Sequence, residues 1–293
     1  MFNFIKNFFS EQIINLEEVI VKEIKIYKRK KDNFSEQELR NPNLFYFKKF
    51  NTHPSLDNIK SVDLRNKMPP VYNQSKLGSC TANAICAAYE YEMMRQNEDY
   101  TQMSRLFLYY QERKMEGTIN EDSGAQIKDG ILATAKTGLC EEKYWKYDIN
   151  KFTVDPPEDA YLDAGFHKTI EYSRIFQREE DIKQSLLDGY PVIFGIIVFS
   201  SFETDEVSKS GIVPMPTETD KELGGHAILI VGYKEIDNKN YFIIRNSWGQ
   251  EWGDKGYCYL PFEYVLDNKL AEDFWSIKLV EDKLNSSDEL SMD

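Results

Sequence analysis

A two-lobed α+β fold, with a helical lobe packed against an antiparallel, barrel-like β lobe, is what this 293-residue sequence predicts. Three observations carry that expectation. Helical spacing dominates up to about residue 170, short β-rich runs separated by turns dominate beyond it, and the first 60 residues differ in charge from the rest. The length suffices for one large domain or two lobes, and 41% hydrophobic with 14% aromatic residues is the composition of an ordered chain.

Residues 1–60 read as an N-terminal extension with 11 Lys and Arg against 8 Asp and Glu, +3 where the remainder carries −16. Met1, Ile5, Phe8, Phe9, Ile13, Leu16 and Ile20 recur at helical spacing, so an amphipathic helix is expected over 1–20. KEIKIYKRKK (22–31) alternates briefly and turns basic, and NPNLFYFKKFNTHP (41–54) is aromatic between turn signals. The main domain is expected over 61–280, with its helical lobe at about 75–170 and its β lobe at about 171–280. Helices are predicted at 80–98, 104–116, 125–137 and 178–188. Strands are predicted in IEYSRI, PVIFGIIVF, HAILIVGY, YFIIRNSW and GYCYLP. Residues 281–293 are an acidic tail.

Composition also narrows function. A net charge of −13 argues against a nucleic-acid partner, since phosphate binding needs a basic surface. The longest apolar run, Val192–Phe199, has the length of a buried strand and not of a membrane span. The N-terminus breaks its apolar pairs with Asn and Lys and lacks a small-residue cleavage site, so no secretion signal is read there. An intracellular, reducing setting is therefore expected for the four cysteines, with no structural disulfide. No CxxC is present, and neither a metal nor a cofactor is expected.

Cys80 in LGSCTANA stands apart from Cys86, Cys140 and Cys258, which read as small core residues. It is the first residue of a predicted helix, where partial positive charge favours a thiolate, and Ser79 is placed to cap that helix. Of the three histidines, His53 and His167 lack chemical neighbours of note. His226 follows Leu-Gly-Gly at a strand start, where glycines leave open space; a structural role is equally compatible with that pattern. Asn246 ends a strand before Ser-Trp-Gly, and its amide oxygen can orient an imidazole while Trp248 shields the bond. A turn with two packed tryptophans reads as well. Gln74, six residues before Cys80, could complete an oxyanion site with the Cys80 N–H or be an ordinary loop residue.

Together, PPVYNQSKLGSCTANA, GGHAILIVGY and IIRNSWGQEWGDKGY resemble the papain-like cysteine peptidases, with weaker similarity through EDSGAQIKDGILATAKTGLCEEKYWKYD, over about Val62 to Phe274. LGSCTANA is similar to a non-secreted branch from microbes and viruses, which implies a possible virus-encoded or virion-associated origin. Two positions depart from the family pattern: Leu77 replaces a cysteine, and Thr81 replaces the aromatic residue beside the nucleophile.

The resemblance implies a cysteine endopeptidase with Cys80 as nucleophile, His226 as acid and base, Asn246 orienting it and Gln74 at the oxyanion. Gly124 would pair with the substrate backbone. Gly224 and Ala227 would line a roomy apolar pocket for the second side chain before the cut, with Trp248 nearby. A catalytically silent binding protein, or another thiol acyl-transfer enzyme such as an amidase or deubiquitinase-like protein, stays open. The partners expected are a protein or peptide substrate and the chain's own residues 1–60 as an inhibitory segment, drawn to the acidic remainder and placing Phe45-Tyr46-Phe47 in a groove. The competing reading makes residues 1–20 a membrane-surface helix, which the acidic residues at 11, 17, 18 and 23 disfavour.

Overall fold

The computed structural model describes residues 25, 27–33, 59–96 and 99–281. The expected helix at 1–20, the aromatic stretch at 41–54 and the tail beyond 281 lie outside these residues. After a two-residue strand β1 (Val62–Asp63), the chain builds four helices: α1 (Cys80–Arg95), α2 (Arg105–Glu116), α3 (Ile127–Lys136) and α4 (Glu158–Ala164). The β lobe follows as β2 (Thr169–Arg174), α5 (Glu179–Leu187), β3 (Val192–Phe199), α6 (Asp205–Ser210), β4 (Glu222–Ile236), β5 (Lys239–Arg245), β6 (Tyr257–Pro261), α7 (Phe262–Leu266) and β7 (Ala271–Val280). The strands form one antiparallel sheet in the order β2-β7-β3-β4-β5-β6, with β1 pairing on β4.

Alanines at 82, 84, 87 and 88, with no Gly or Pro inside, favour α1 as a helix. Every residue from Cys80 to Met93 is buried, so α1 is the central helix, and the one-sided face expected from Ala84, Ala87, Ala88, Tyr91 and Met94 understates its burial. It ends at Arg95 rather than residue 98, where Gln96 closes the last turn through Glu92 and Met93 carbonyls. In α2, Ser104 caps the start by accepting from the Phe107 N–H, and Gly117 closes the end in the left-handed conformation.

Strand β4 is buried on both faces. Ala227, Leu229 and Val231 meet the helical lobe in one core, while Ile228 and Ile230 meet Phe194, Val198 and Phe242 in a second core behind the sheet. Strand β7 works in the same way, Trp275 and Ile277 in the first core and Phe274 in the second. It was not among the strands expected from the sequence, because AEDFWSIKLV carries charges within its apolar alternation.

Thr81, where the family pattern has an aromatic side chain, is wholly buried, and its hydroxyl donates to Glu112 Oε2 at 2.7 Å. Burial raises the Glu112 carboxyl well above the usual carboxylate range. A polar pair thus fills the position beside Cys80. Thr81→Val keeps the volume and removes the donor, leaving a buried carboxyl without that partner. A loss of about 1–3 kcal/mol is expected in denaturant unfolding; unchanged stability would show that the pair contributes nothing.

Candidate active site

The site forms where the start of α1 meets the middle of the sheet. Cys80 is fully buried, and the backbone N–H of Ala227 on β4 is among the groups that favour its thiolate. Because side chains alternate along β4, Ala227 faces Cys80 while its neighbour His226 faces the aromatic side. His226 does not open the strand as expected; β4 begins at Glu222 and takes in Gly224 and Gly225.

His226 Nε2 lies 2.9 Å from Asn246 Oδ1. That oxygen can only accept, so Nε2 carries the proton, and Nδ1, buried and without a hydrogen bond, keeps its lone pair. Asn246 is held in turn: its Oδ1 also accepts from the Ser247 N–H at 2.8 Å, and its own N–H donates to Gly256 O at 3.0 Å. Trp248 stacks on the His226 ring at 5.1 Å between centroids and 22° between planes, backed edge-on by Trp252 and Phe202.

Gln74 is 1% exposed and is therefore no surface loop residue. Its Oε1 accepts from Ser247 Oγ at 2.5 Å, its Nε2 donates to Leu77 O at 3.0 Å, and its backbone N–H donates to Ser247 O at 2.9 Å. Ser247 thereby ties Gln74 to Asn246, a linking role the sequence reading assigned to no residue. Ser79 does not cap α1 through its side chain. Its hydroxyl instead meets Tyr147 Oη at 2.5 Å and accepts from Asn83 Nδ2.

Residues 27–33 run through this cleft. Tyr27 packs edge-on against His226 and Trp248, each at 5.8 Å, and its hydroxyl donates to Glu203. The Arg29 N–H donates to Gly225 O at 2.9 Å and the Lys30 N–H to Ala125 O at 2.8 Å, so one extended stretch bonds both walls. Gly124, with φ of +67°, makes room for it: a Cβ there would fall 1.4 Å from Lys28 O. Gly224 lies against the Tyr27 backbone. Arg29 fills the space beside Gly225 and over Gly195, the residue paired with Ala227, and there it meets Glu272 and Asp273 of β7, so this wall is acidic where an apolar one was expected. Further along, Asp32 is clamped by the Lys128 and Trp275 N–H groups, both at 2.9 Å, and burial pushes its carboxyl up to about 7.

Burial under this stretch governs the charges. The Cys80 thiol is pushed up to about 11, desolvation outweighing the Ala227 N–H and the nearby Arg29 charge. His226 is pushed down to about 4 by desolvation and by the Lys25 and Arg29 charges, against the Asn246 bond. In this arrangement thiol and imidazole are both neutral. The other three cysteines are buried and free, their thiols raised by burial. No helix among the described residues is long and apolar enough to cross a membrane.

The pattern of the family described as papain family cysteine protease matches residues 59–269. An uncharacterized peptidase C1-like protein of Acanthamoeba polyphaga mimivirus is 48% identical over 221 residues, 72% of this chain and 70% of that one. Human cathepsin L2 is 28% identical over 210 residues, 69% of this chain but only 60% of the relative's length. Among solved structures, xylellain, a cysteine protease from Xylella fastidiosa, superposes with a TM-score of 0.74 at 38% identity, covering 86% of this chain and 95% of that one. The fold, the meeting of Cys80 and β4, and these matches lead to one assignment: the chain belongs to the papain family of cysteine proteases and is a peptidase of the hydrolase class.

Proposed function

We propose that this cysteine peptidase cuts internal peptide bonds through Cys80, His226 and Asn246, and that its own N-terminal extension covers the site until displaced. The observation that carries the reading is the 2.9 Å His226–Asn246 bond, which fixes the proton on Nε2 and leaves Nδ1 with its lone pair and no hydrogen bond.

Once the cleft is hydrated, Nδ1 takes the Cys80 proton, and the first turn of α1 favours the thiolate. The thiolate attacks the scissile carbonyl carbon, forming a C–S bond and an oxyanion. In this reading the Cys80 N–H and the second N–H of the Gln74 amide, whose first goes to Leu77 O, donate to that oxyanion. His226 passes its proton to the leaving amine as the C–N bond breaks. Water, losing a proton to His226, then attacks the thioester and releases the carboxylic acid and the thiol. Asn246 holds the imidazole in the required tautomer throughout. Cutting within a chain is supported by the way residues 27–33 enter and leave the cleft while pairing with both walls.

Support for inhibition is of the same kind. Tyr27–Arg29 occupy the surface a substrate would need, and burial beneath them holds the nucleophile and its base neutral. Similarity to a giant-virus protein supports a virus-encoded origin. The proposed membrane contact of residues 1–20 falls outside the described residues.

Cys80→Ala is expected to abolish peptide hydrolysis, and His226→Ala to leave close to none. Asn246→Ala and Gln74→Ala should each lose roughly 10²–10³-fold in kcat, the effect of one preorganised hydrogen bond. A Gln74→Ala enzyme of normal activity would remove Gln74 from the oxyanion site. Iodoacetamide near pH 7 tests the cover directly. A thiol held at about 11 reacts slowly there, so Cys80 labelling should rise at least about tenfold in full-length Tyr27→Ala/Arg29→Ala or after removal of 1–60. Equal labelling in both forms would mean that the segment does not control the thiol.

A further inference from the structure

We infer that the cleft carries an acidic pocket, built by Glu272 and Asp273 around Gly195, that selects substrates with arginine as the second residue before the cut. The inference rests on the peptidase reading and adds its specificity.

The pocket is seen filled. Arg29 is 4% exposed, with Nη1 donating to Asp273 Oδ2 at 2.5 Å and Nη2 donating to Glu272 Oε1 at 2.6 Å. Its backbone N–H donates to Gly225 O, so the residue sits in a strand-like pose immediately beside His226. The guanidinium lies over Gly195, which pairs in register with Ala227, the residue expected to line the second side-chain pocket. A Cβ on Gly195 would stand 2.3 Å from the guanidinium carbon, so a larger residue there would push the guanidinium out of its present position.

The acidic wall is a built feature of the sheet. Between Ile193↔Trp275 and Gly195↔Glu272, strand β7 has an extra residue relative to β3, and Asp273 takes a φ of +59° there. Such a bulge re-aims a side chain that a regular strand would direct elsewhere. Asp273 ends 5% exposed and facing Arg29.

Charge decides what the vacated pocket prefers. Arg29 and Lys31, the segment's cations on Glu272 and Asp273, leave with the segment, whereas Arg174 stays, 3.8 Å from Asp273. A leucine side chain would cover two carboxylates without neutralising them, and uncompensated buried charge is strongly unfavourable. A guanidinium offers parallel donors to both, which an ammonium cannot match.

The test uses the full chain carrying Tyr27→Ala and Arg29→Ala, which removes the two side chains that cover the site and empties the pocket. Blocked dipeptidyl amides share one residue at the cut and carry Arg, Lys, citrulline or Leu before it. Arg is expected to exceed citrulline and Leu by about 10–100-fold in kcat/KM, with Lys between. The Arg-to-Leu ratio should fall roughly fivefold or more in Glu272→Gln or Asp273→Asn added to that chain. Citrulline or Leu cut as well as Arg would overturn the pocket and leave the peptidase reading intact. Should no amide be cut, the peptidase reading fails, and binding decides the pocket. A labelled peptide of residues 25–33, with arginine or with citrulline at position 29, is titrated onto the full chain carrying Arg29→Ala and Cys80→Ala. At least about tenfold tighter binding of the arginine peptide supports the pocket, and equal affinities overturn it.

Discussion

The side-chain alternation of β4 is the constraint on which the site depends. Ala227 points to the helical lobe and packs in one core with Cys80, whereas His226 turns to the other side of the strand, under Trp248. Pairing with β5 in the register Leu229↔Arg245 then brings the end of β5 to the level of His226, so that Asn246 reaches Nε2. A one-residue slip would turn the imidazole into the α1 interface and the alanine towards the tryptophans. Apolar residues on both faces, Leu229 and Val231 on one side and Ile228 and Ile230 on the other, make every such slip costly. The chemistry is thus positioned by packing that contains none of the chemistry.

Two effects compete at Cys80, and in this arrangement burial wins. The start of α1 and the Arg29 charge both favour a thiolate, as does the Ala227 N–H. Desolvation outweighs them and leaves the thiol at about 11, while the same burial drives His226 down to about 4. An ion pair needs both groups charged together, so one covering stretch opposes it at both ends. In the proposed inhibition, steric occlusion and electrostatic silencing would be one physical act, the removal of water from the cleft by Tyr27 and Arg29.

Much of this was legible in the sequence. The long periodic helices were, because α2, α3 and α5 have strong apolar spacing, and so were the uninterrupted β-branched runs of β3 to β5. Cys80, His226, Asn246 and Gln74 were named from residue type and local setting, and the structure joins His226 to Asn246 directly and Gln74 to Asn246 through Ser247. What escaped is non-local. Ser247 gains its role only because a loop 173 residues away in sequence presents Gln74 to it. The acidic wall at Glu272 and Asp273 depends on a bulge, which leaves no periodic trace, and β7 itself was hidden by those same charges. The segment in the cleft was sought in the aromatics at 45–47, where hydrophobicity is concentrated. Those residues lie outside the described ones; the described contacts belong to the basic run ending KIYKRKK, whose value lies in partners that sequence periodicity cannot show.

That basic run also shows why overall charge is too coarse an argument for docking. The +3 of residues 1–60 against −16 elsewhere predicts attraction, weak and screened by salt. The structure resolves it into four consecutive cations, each paired with a carboxylate: Lys28 with Asp122, Arg29 with Glu272 and Asp273, Lys30 with Glu116, and Lys31 with Glu272, which it shares with Arg29. They are not equivalent. Lys31 is half exposed, and exposed pairs contribute little because water already solvates both partners. Arg29 is buried with Asp273, so removing it strands a carboxylate that water reaches poorly. The run's specificity therefore resides in one residue, and its neighbours set only how closely the chain lies along the walls. Under the proposed specificity, a pocket that holds its own segment by one buried guanidinium is also one for which a substrate arginine would compete, so displacement of the segment and recognition of substrate would be two uses of the same two carboxylates.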